Sequence, residues 1–272
     1  MKFRTDSSST YSDGFARNKM FPLAAAAYSN NPKACLSNKF NNSELIKQYV
    51  VPNCAVLLSD TCSGYTAVLH QEKAIVMSFR GTESIKQLTA EVFETVFGNK
   101  VEWEMGGSVN MYFSNSFKNM WKDGMAADVM KLLKKYENYE VWVTGHSLGG
   151  SLSSLASSYI VGKGLVDKNR VKLINFGSPR TGDYDFAKQH SFLVPYSFRV
   201  IHNRDYVTSI PRIDYFHTKR EVVYDDDMGE GAAYHICKDQ DEYCISYYRP
   251  NIFDHFTYFE HPVGVWGRNG CE

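Results

Sequence analysis

Residues 139–162, YEVWVTGHSLGGSLSSLASSYIVG, constrain the fold more than any other stretch of the chain. An apolar, largely β-branched run (Val141, Trp142, Val143, Thr144) stops at Gly145, and small and apolar residues follow Gly150 at helical spacing. The pattern is a strand, a sharp turn and a helix, with Ser147 at the apex. A turn this tight admits only Gly two residues before and two after the serine, and both positions carry it. The geometry lifts the Ser147 hydroxyl above the sheet edge. The first N–H of the next helix, that of Leu148, then faces any oxyanion formed beside it. An ordinary glycine-rich turn with a capping serine is the bland alternative; the strand on one side and the small-residue helix on the other argue against it.

A serine hydroxyl needs an imidazole to take its proton and a carboxylate to orient that imidazole. In sheets of this kind the chain order is Ser, then Asp or Glu, then His. The strand read over Phe198–His202 delivers Asp205 directly, whereas Asp183 and Asp185 look like the start of a helix. Four histidines follow Asp205: His217, His235, His255 and His261. His255, beside an aromatic run, suits a base at the mouth of an apolar cleft, and His261 comes next. His146 adjoins the serine in sequence and so faces elsewhere, and His202 reads as a buried structural histidine.

Earlier in the chain, Tyr65–His70 and Ala74–Phe79 read as two strands joined by a polar turn. The second runs into Arg80-Gly81-Thr82, and open α/β sheets carry functional groups at such strand ends. Thr82 can donate to an oxyanion or cap the next helix; the sequence leaves both open. That helix, Ser84–Phe97, carries Ile85, Leu88, Val92, Phe93, Val96 and Phe97 along one face, opposite Lys86, Gln87, Glu91 and Glu94. It is either packed on the sheet or a lid over the cleft. Residues 1–20 read as polar and partly disordered, with a helix beginning at Pro22. Residues 29–64 read as loops with one short helix around Glu44–Tyr49, 98–116 as a loop, and Phe117–Tyr136 as a helix. Val171–Asn175 and Lys219–Tyr224 read as strands. No repeat or break in composition divides the chain, so 1–272 reads as one α/β domain.

Lys plus Arg and Asp plus Glu stand at 30 each, so no net field favours nucleic acid or an anionic membrane. No apolar run reaches the roughly 18 residues of a membrane span. The acidic run Asp225–Asp227 lacks the spaced ligands of a calcium loop, and the cysteines lack zinc-finger spacing, so no metal or other cofactor is expected. The six cysteines are an even set, absent from the central region, and read as disulfides of an oxidising compartment. The polar N-terminus (MKFRTDSSST) lacks a signal h-region, so secretion implies a mature form whose signal has been removed. Asn41-Asn42-Ser43 is an N-glycosylation sequon and fits secretion.

Taken together, Phe79-Arg80-Gly81-Thr82, Thr144 to Gly150, Phe176 to Gly182, His202 to Val207 and Asp254 to Phe259 resemble the class 3 (fungal-type) lipases, secreted α/β-hydrolases. The likeness runs from about residue 20 to the end, and the Cys- and Ala-rich N-terminal portion resembles nematode secreted members. It implies an α/β-hydrolase fold, a central mostly parallel sheet flanked by helices, with 84–97 as a helical lid. It implies Ser147 as nucleophile, Asp205 as orienting acid, His255 as base, and Thr82 with the Leu148 N–H as oxyanion hole. It also implies the disulfides Cys35–Cys271, Cys54–Cys62 and Cys237–Cys244. Two positions depart from the family pattern: Thr208 stands where Pro is usual, and Leu88 where fungal members often carry Trp. The expectation is a secreted, monomeric triacylglycerol lipase meeting its lipid or ester substrate at an oil–water interface. A phospholipase, a feruloyl-type esterase and a non-catalytic binding or antigenic protein of the same fold are the alternatives.

Overall fold

The computed structural model describes residues 10–54, 61–82, 99–237 and 251–272; the expected lid 84–97 and Cys244 lie outside them. At the centre is an eight-stranded sheet in the order β1-β2-β3-β6-β7-β8-β9-β10. Its strands are β1 (Ser43–Val51), β2 (Cys62–Leu69), β3 (Ala74–Phe79), β6 (Glu140–His146), β7 (Val171–Phe176), β8 (Ser197–His202), β9 (Glu221–Tyr224) and β10 (Tyr234–Ile236). The five strands from β3 to β9 are parallel, and β1, β2 and β10 add antiparallel edges. This is the α/β-hydrolase arrangement, a mostly parallel sheet between two layers of helices. The expected hairpin of β2 and β3 is present, with Leu69 opposite Ala74.

Because side chains alternate across a strand, each central strand feeds two cores. On β6, Val141 and Val143 enter the core beneath the helices Met111–Met120, Ala126–Lys135 and Leu148–Gly162. Trp142 enters the other, which holds the N-terminal helix Phe21–Ala26 and the C-terminal helix Val263–Arg268. The serine-rich helix Leu148–Gly162 is nonetheless almost wholly buried. Four of its hydroxyls bond back to its own carbonyls, among them Ser153 to Gly150 at 2.6 Å and Ser158 to Leu155 at 3.0 Å, while Ser151 bonds the Pro179 carbonyl, so small polar residues pack there with partners.

Three local expectations are corrected. Glu44–Tyr49 is strand, not helix: it lies inside β1, whose partners run from Ser43 opposite Leu69 to Val51 opposite Cys62. Pairing along a whole neighbouring strand outweighs the modest helix propensity of Glu, Leu, Lys and Gln. The N-terminal segment is helical from Asp13, capped by Ser12, and passes through a wide turn at Ala16–Met20 before Pro22. Its polar residues are held by the far end of the chain: Arg17 pairs with Asp13 at 3.0 Å and donates to the Met228 carbonyl at 2.6 Å. Within 98–116, two three-residue strands, β4 (Lys100–Glu102) and β5 (Ser108–Asn110), form a ribbon. A helix then starts at Met111, capped by the Asn110 side chain. Strands of three residues are too short for periodicity to reveal.

Cys35–Cys271 and Cys54–Cys62 are disulfides. Cys237 is also disulfide-bonded, and its expected partner Cys244 lies outside the described residues. The Cys35–Cys271 bridge closes a sequence separation of 236 residues. Constraining so long a loop in the unfolded chain is worth about 5 kcal/mol in the chain-entropy model. Replacing both cysteines by alanine is therefore expected to lower Tm by about 10 °C in a scanning calorimeter. A drop of only a degree or two would mean that the bridge does not act through the unfolded state.

Candidate active site

The motif GHSLGG makes the turn that its sequence demands. Ser147 sits at φ 58°, ψ −130°, a conformation that costs an L-residue of order 1–3 kcal/mol and persists only where the surroundings hold it. What holds it is close backbone packing. A Cβ on Gly145 would stand 2.2 Å from the Gly149 carbonyl oxygen, and one on Gly149 would stand 2.1 Å from that of Phe79. The Ser147 N–H bonds the Phe176 carbonyl at 2.9 Å, tying the turn to the end of β7.

Gly177, next along, leads to the other two groups. At its positive φ of 58°, a Cβ would stand 2.9 Å from both the Asp205 carboxylate and the His255 ring. His255 Nδ1 lies 2.8 and 2.9 Å from the two Asp205 oxygens, and both residues are buried. A carboxylate can only accept here, so Nδ1 carries the hydrogen and Nε2 the lone pair. His255 Nε2 is buried and has no hydrogen-bond partner among the described residues. The structure thus delivers an imidazole oriented by a carboxylate, its basic nitrogen unspent, at the strand end that also carries Ser147.

Asp205 accepts from two further donors, the Val207 N–H at 2.9 Å and the Tyr258 hydroxyl at 2.8 Å. Burial, and then the Asp205 charge, push the Tyr258 phenol well above its usual range, so it remains a donor. The Thr208 hydroxyl donates to the Asp205 carbonyl at 2.8 Å and so helps hold the loop. Beyond Asp205, the backbone before His255 is pinned by Asp254, which accepts from Arg204 N–H at 3.1 Å and Asn251 Nδ2 at 2.6 Å.

Of the four late histidines, His255 is the one bonded to Asp205. His261 stacks on Trp266 with ring centres 4.2 Å apart, His235 lies 3.3 Å from Asp225 on the surface, and His217 is half-buried with its ring nitrogens enclosed, its pKa lowered first by burial and then by Arg199 and Arg180. His202 is buried against the Asp254 carbonyl at 2.9 Å. Thr82 follows Gly81, which packs on Ser147: a Cβ on Gly81 would stand 2.9 Å from Ser147 Cβ. Leu148 opens the helix Leu148–Gly162. The residues expected to form a lid, Ile85, Leu88, Val92, Phe93 and Val96, lie outside the described residues. Sequence reasoning missed Tyr258 and Tyr28. The spacing His255-x-x-Tyr258 within an aromatic run was the only signal for the first, and nothing in the sequence pointed to the second.

Among the described residues no helix is long and apolar enough to cross a membrane. The model of the family Lipase (class 3) matches residues 76–215. A Caenorhabditis elegans lipase, ZK262.3, is 31% identical over 93% of this chain and 81% of its own length. The secreted mono- and diacylglycerol lipase A of Penicillium camembertii is 31% identical over 60% of this chain and 52% of its own. Among solved structures, a Rhizomucor miehei lipase in complex with its propeptide superposes with a TM-score of 0.80 at 23% identity, covering 94% of this chain and 83% of that one. With five motifs in order along one sheet and this set of relatives, the chain belongs to the class 3 lipase family and is an ester hydrolase of that family.

Proposed function

We propose that this protein is a secreted serine lipase that cleaves the ester bonds of acylglycerols, triacylglycerols foremost, through Ser147, His255 and Asp205. The observation that carries this reading is the buried His255, bonded through Nδ1 to Asp205, its Nε2 without a partner among the described residues, beside the strained Ser147 turn. In this mechanism Ser147 Oγ forms a bond to the ester carbonyl carbon as its proton passes to His255 Nε2. The Asp205 carboxylate offsets the charge of the resulting imidazolium. The carbonyl π-electrons move to oxygen, where the Leu148 N–H and Thr82 receive them. Collapse of the tetrahedral centre breaks the ester C–O bond, and the leaving alkoxide takes the proton from His255. Water, deprotonated by His255, then frees the acyl group by the same steps in reverse order.

The disulfide bonding of Cys35, Cys271, Cys54, Cys62 and Cys237 supports an extracellular site of action, as does the exposed sequon residue Asn41. Residues 84–97 are proposed as the lid and the protein as a monomer. A second reading, a preference for partial glycerides, is favoured by the Penicillium relative, whose name specifies mono- and diacylglycerols. The deciding experiment follows hydrolysis of tri-, di- and monobutyrin, with the tributyrin series carried through its solubility limit. A tributyrin rate at least equal to that on dibutyrin, rising sharply past the limit, is the expected result. Faster dibutyrin hydrolysis selects the partial-glyceride reading. No turnover of any of the three overturns both.

A further inference from the structure

His146 is the residue in this site whose role the triad leaves unassigned. By strand alternation it projects from β6 to the face opposite Val143, and it is fully enclosed there, 2% exposed. Both ring nitrogens have partners. Nε2 lies 2.8 Å from the backbone oxygen of His255, and Nδ1 lies 2.7 Å from the Tyr28 hydroxyl. A carbonyl oxygen only accepts, so Nε2 carries the hydrogen; in the neutral ring Nδ1 then accepts from Tyr28. The His146 and His255 rings pack at 4.6 Å between centres, tilted by 33°. Tyr28 Oη also packs on the backbone beside the turn: a Cβ on Gly81, which itself packs on Ser147, would stand 2.3 Å from it.

We propose that His146 is a positioning residue for the catalytic base, holding the His255 carbonyl through Nε2–H while Tyr28 fixes its own ring through Nδ1. The proposal rests on the triad reading given above. Asp254, Asn251 and Arg204 hold the backbone that enters His255; His146 supplies the bond on the side that leaves it. The contact therefore sets how far the imidazole stands from Ser147. Burial, with His255 adding to it, keeps the His146 pKa well below 6.5. No second positive charge then forms against the His255 imidazolium during turnover.

Side-chain length separates the two bonds. The amide of a glutamine at 146 reaches the Nε2 position and can still donate to the His255 carbonyl. That of an asparagine reaches only the Nδ1 position and keeps Tyr28 alone. With a soluble butyrate ester and the full chain, His146→Gln is expected to stay within about 5-fold of the parent kcat. His146→Asn is expected to lose about 100-fold in kcat, the order expected for a displacement of about 1 Å at the reacting groups. KM should be unchanged, and the rate at which a phosphonate labels Ser147 should fall in the same proportion. Tyr28→Phe, which removes one oxygen and leaves the packing, should lose about 3- to 10-fold in kcat, with KM again unchanged. Equal kcat in the Gln and Asn variants, or a loss confined to KM, overturns the proposal, and so does a parent-like Tyr28→Phe. Controls with Ser147→Ala and His255→Gln separate the two levels of the argument. If either control turns over normally, the triad reading fails and the clamp with it. If both are dead while the Gln and Asn variants match, the clamp alone is wrong.

Discussion

Replacing Ser147 by alanine is expected to lower kcat on a soluble ester by about 10⁶-fold, the loss typical of removing the nucleophile from a serine hydrolase. Stability should hardly change. The hydroxyl contributes no capping hydrogen bond to the following helix, and alanine must adopt the same φ of 58° that the serine already adopts. The backbone strain therefore stays in both proteins, while the covalent route is lost from one. The measurement is kcat beside a thermal melt. Residual activity above one part in a thousand, from a protein melting within a degree or two of the parent, would show that the hydrolysis uses another nucleophile.

Asp205→Asn is expected to cost about 10⁴-fold in kcat, the effect of an imidazole held in the wrong tautomer. The carboxylate takes hydrogens from Val207 N–H, Tyr258 Oη–H and His255 Nδ1–H, the last two converging on Oδ2. An asparagine offers one oxygen and one NH₂. With its oxygen kept on Val207, the amide nitrogen meets His255 Nδ1 as a donor and drives the ring proton to Nε2. The nitrogen facing the nucleophile then donates where it must accept. Substrate binding is untouched, so the loss should fall on kcat with KM near the parent value. Asp254→Asn, which alters only the hydrogen bonds to Arg204 and Asn251, should lose no more than about 10-fold. If the two substitutions cost the same, the distinction drawn between the residues is wrong.

Much of this architecture could be read before the structure, and the reason is physical. Strand β6 and the helix after it carry their signal locally: the β-branched run, the two glycines of the turn and the small residues beyond fit one geometry, which the neighbouring backbone of Phe79 and Phe176 then holds. The partnership of Asp205 with His255 was legible through chain order, since a right-handed parallel sheet lays successive strand ends along one edge. The missed features depend on distant chain. Ser43–Val51 becomes a strand because β2 pairs with it, and Asp13–Met20 is ordered because Arg17, Asp13 and Tyr11 find partners near residues 224 and 228. Tyr28 and Tyr258, separated by 230 positions, converge on the site only where the N- and C-terminal segments share one core on the same side of the sheet. Nothing local in FPLAAAAY marks its last residue as part of a catalytic centre.

The Cys35–Cys271 bridge ties the segment that carries Tyr28 to the one that carries His255. The bridged positions are 236 residues apart, so synthesis supplies these two segments at different times. The turn at Ser147 bonds the Phe176 carbonyl and is held only once β7 has been made. A nascent chain that stops short of residue 255 carries Ser147 without the imidazole that the folded protein sets against Asp205. On the triad reading proposed above, such a chain is hydrolytically silent. The bond between Cys35 and Cys271 forms later still, since its second cysteine follows residue 255, and it closes over a site whose parts have all been made.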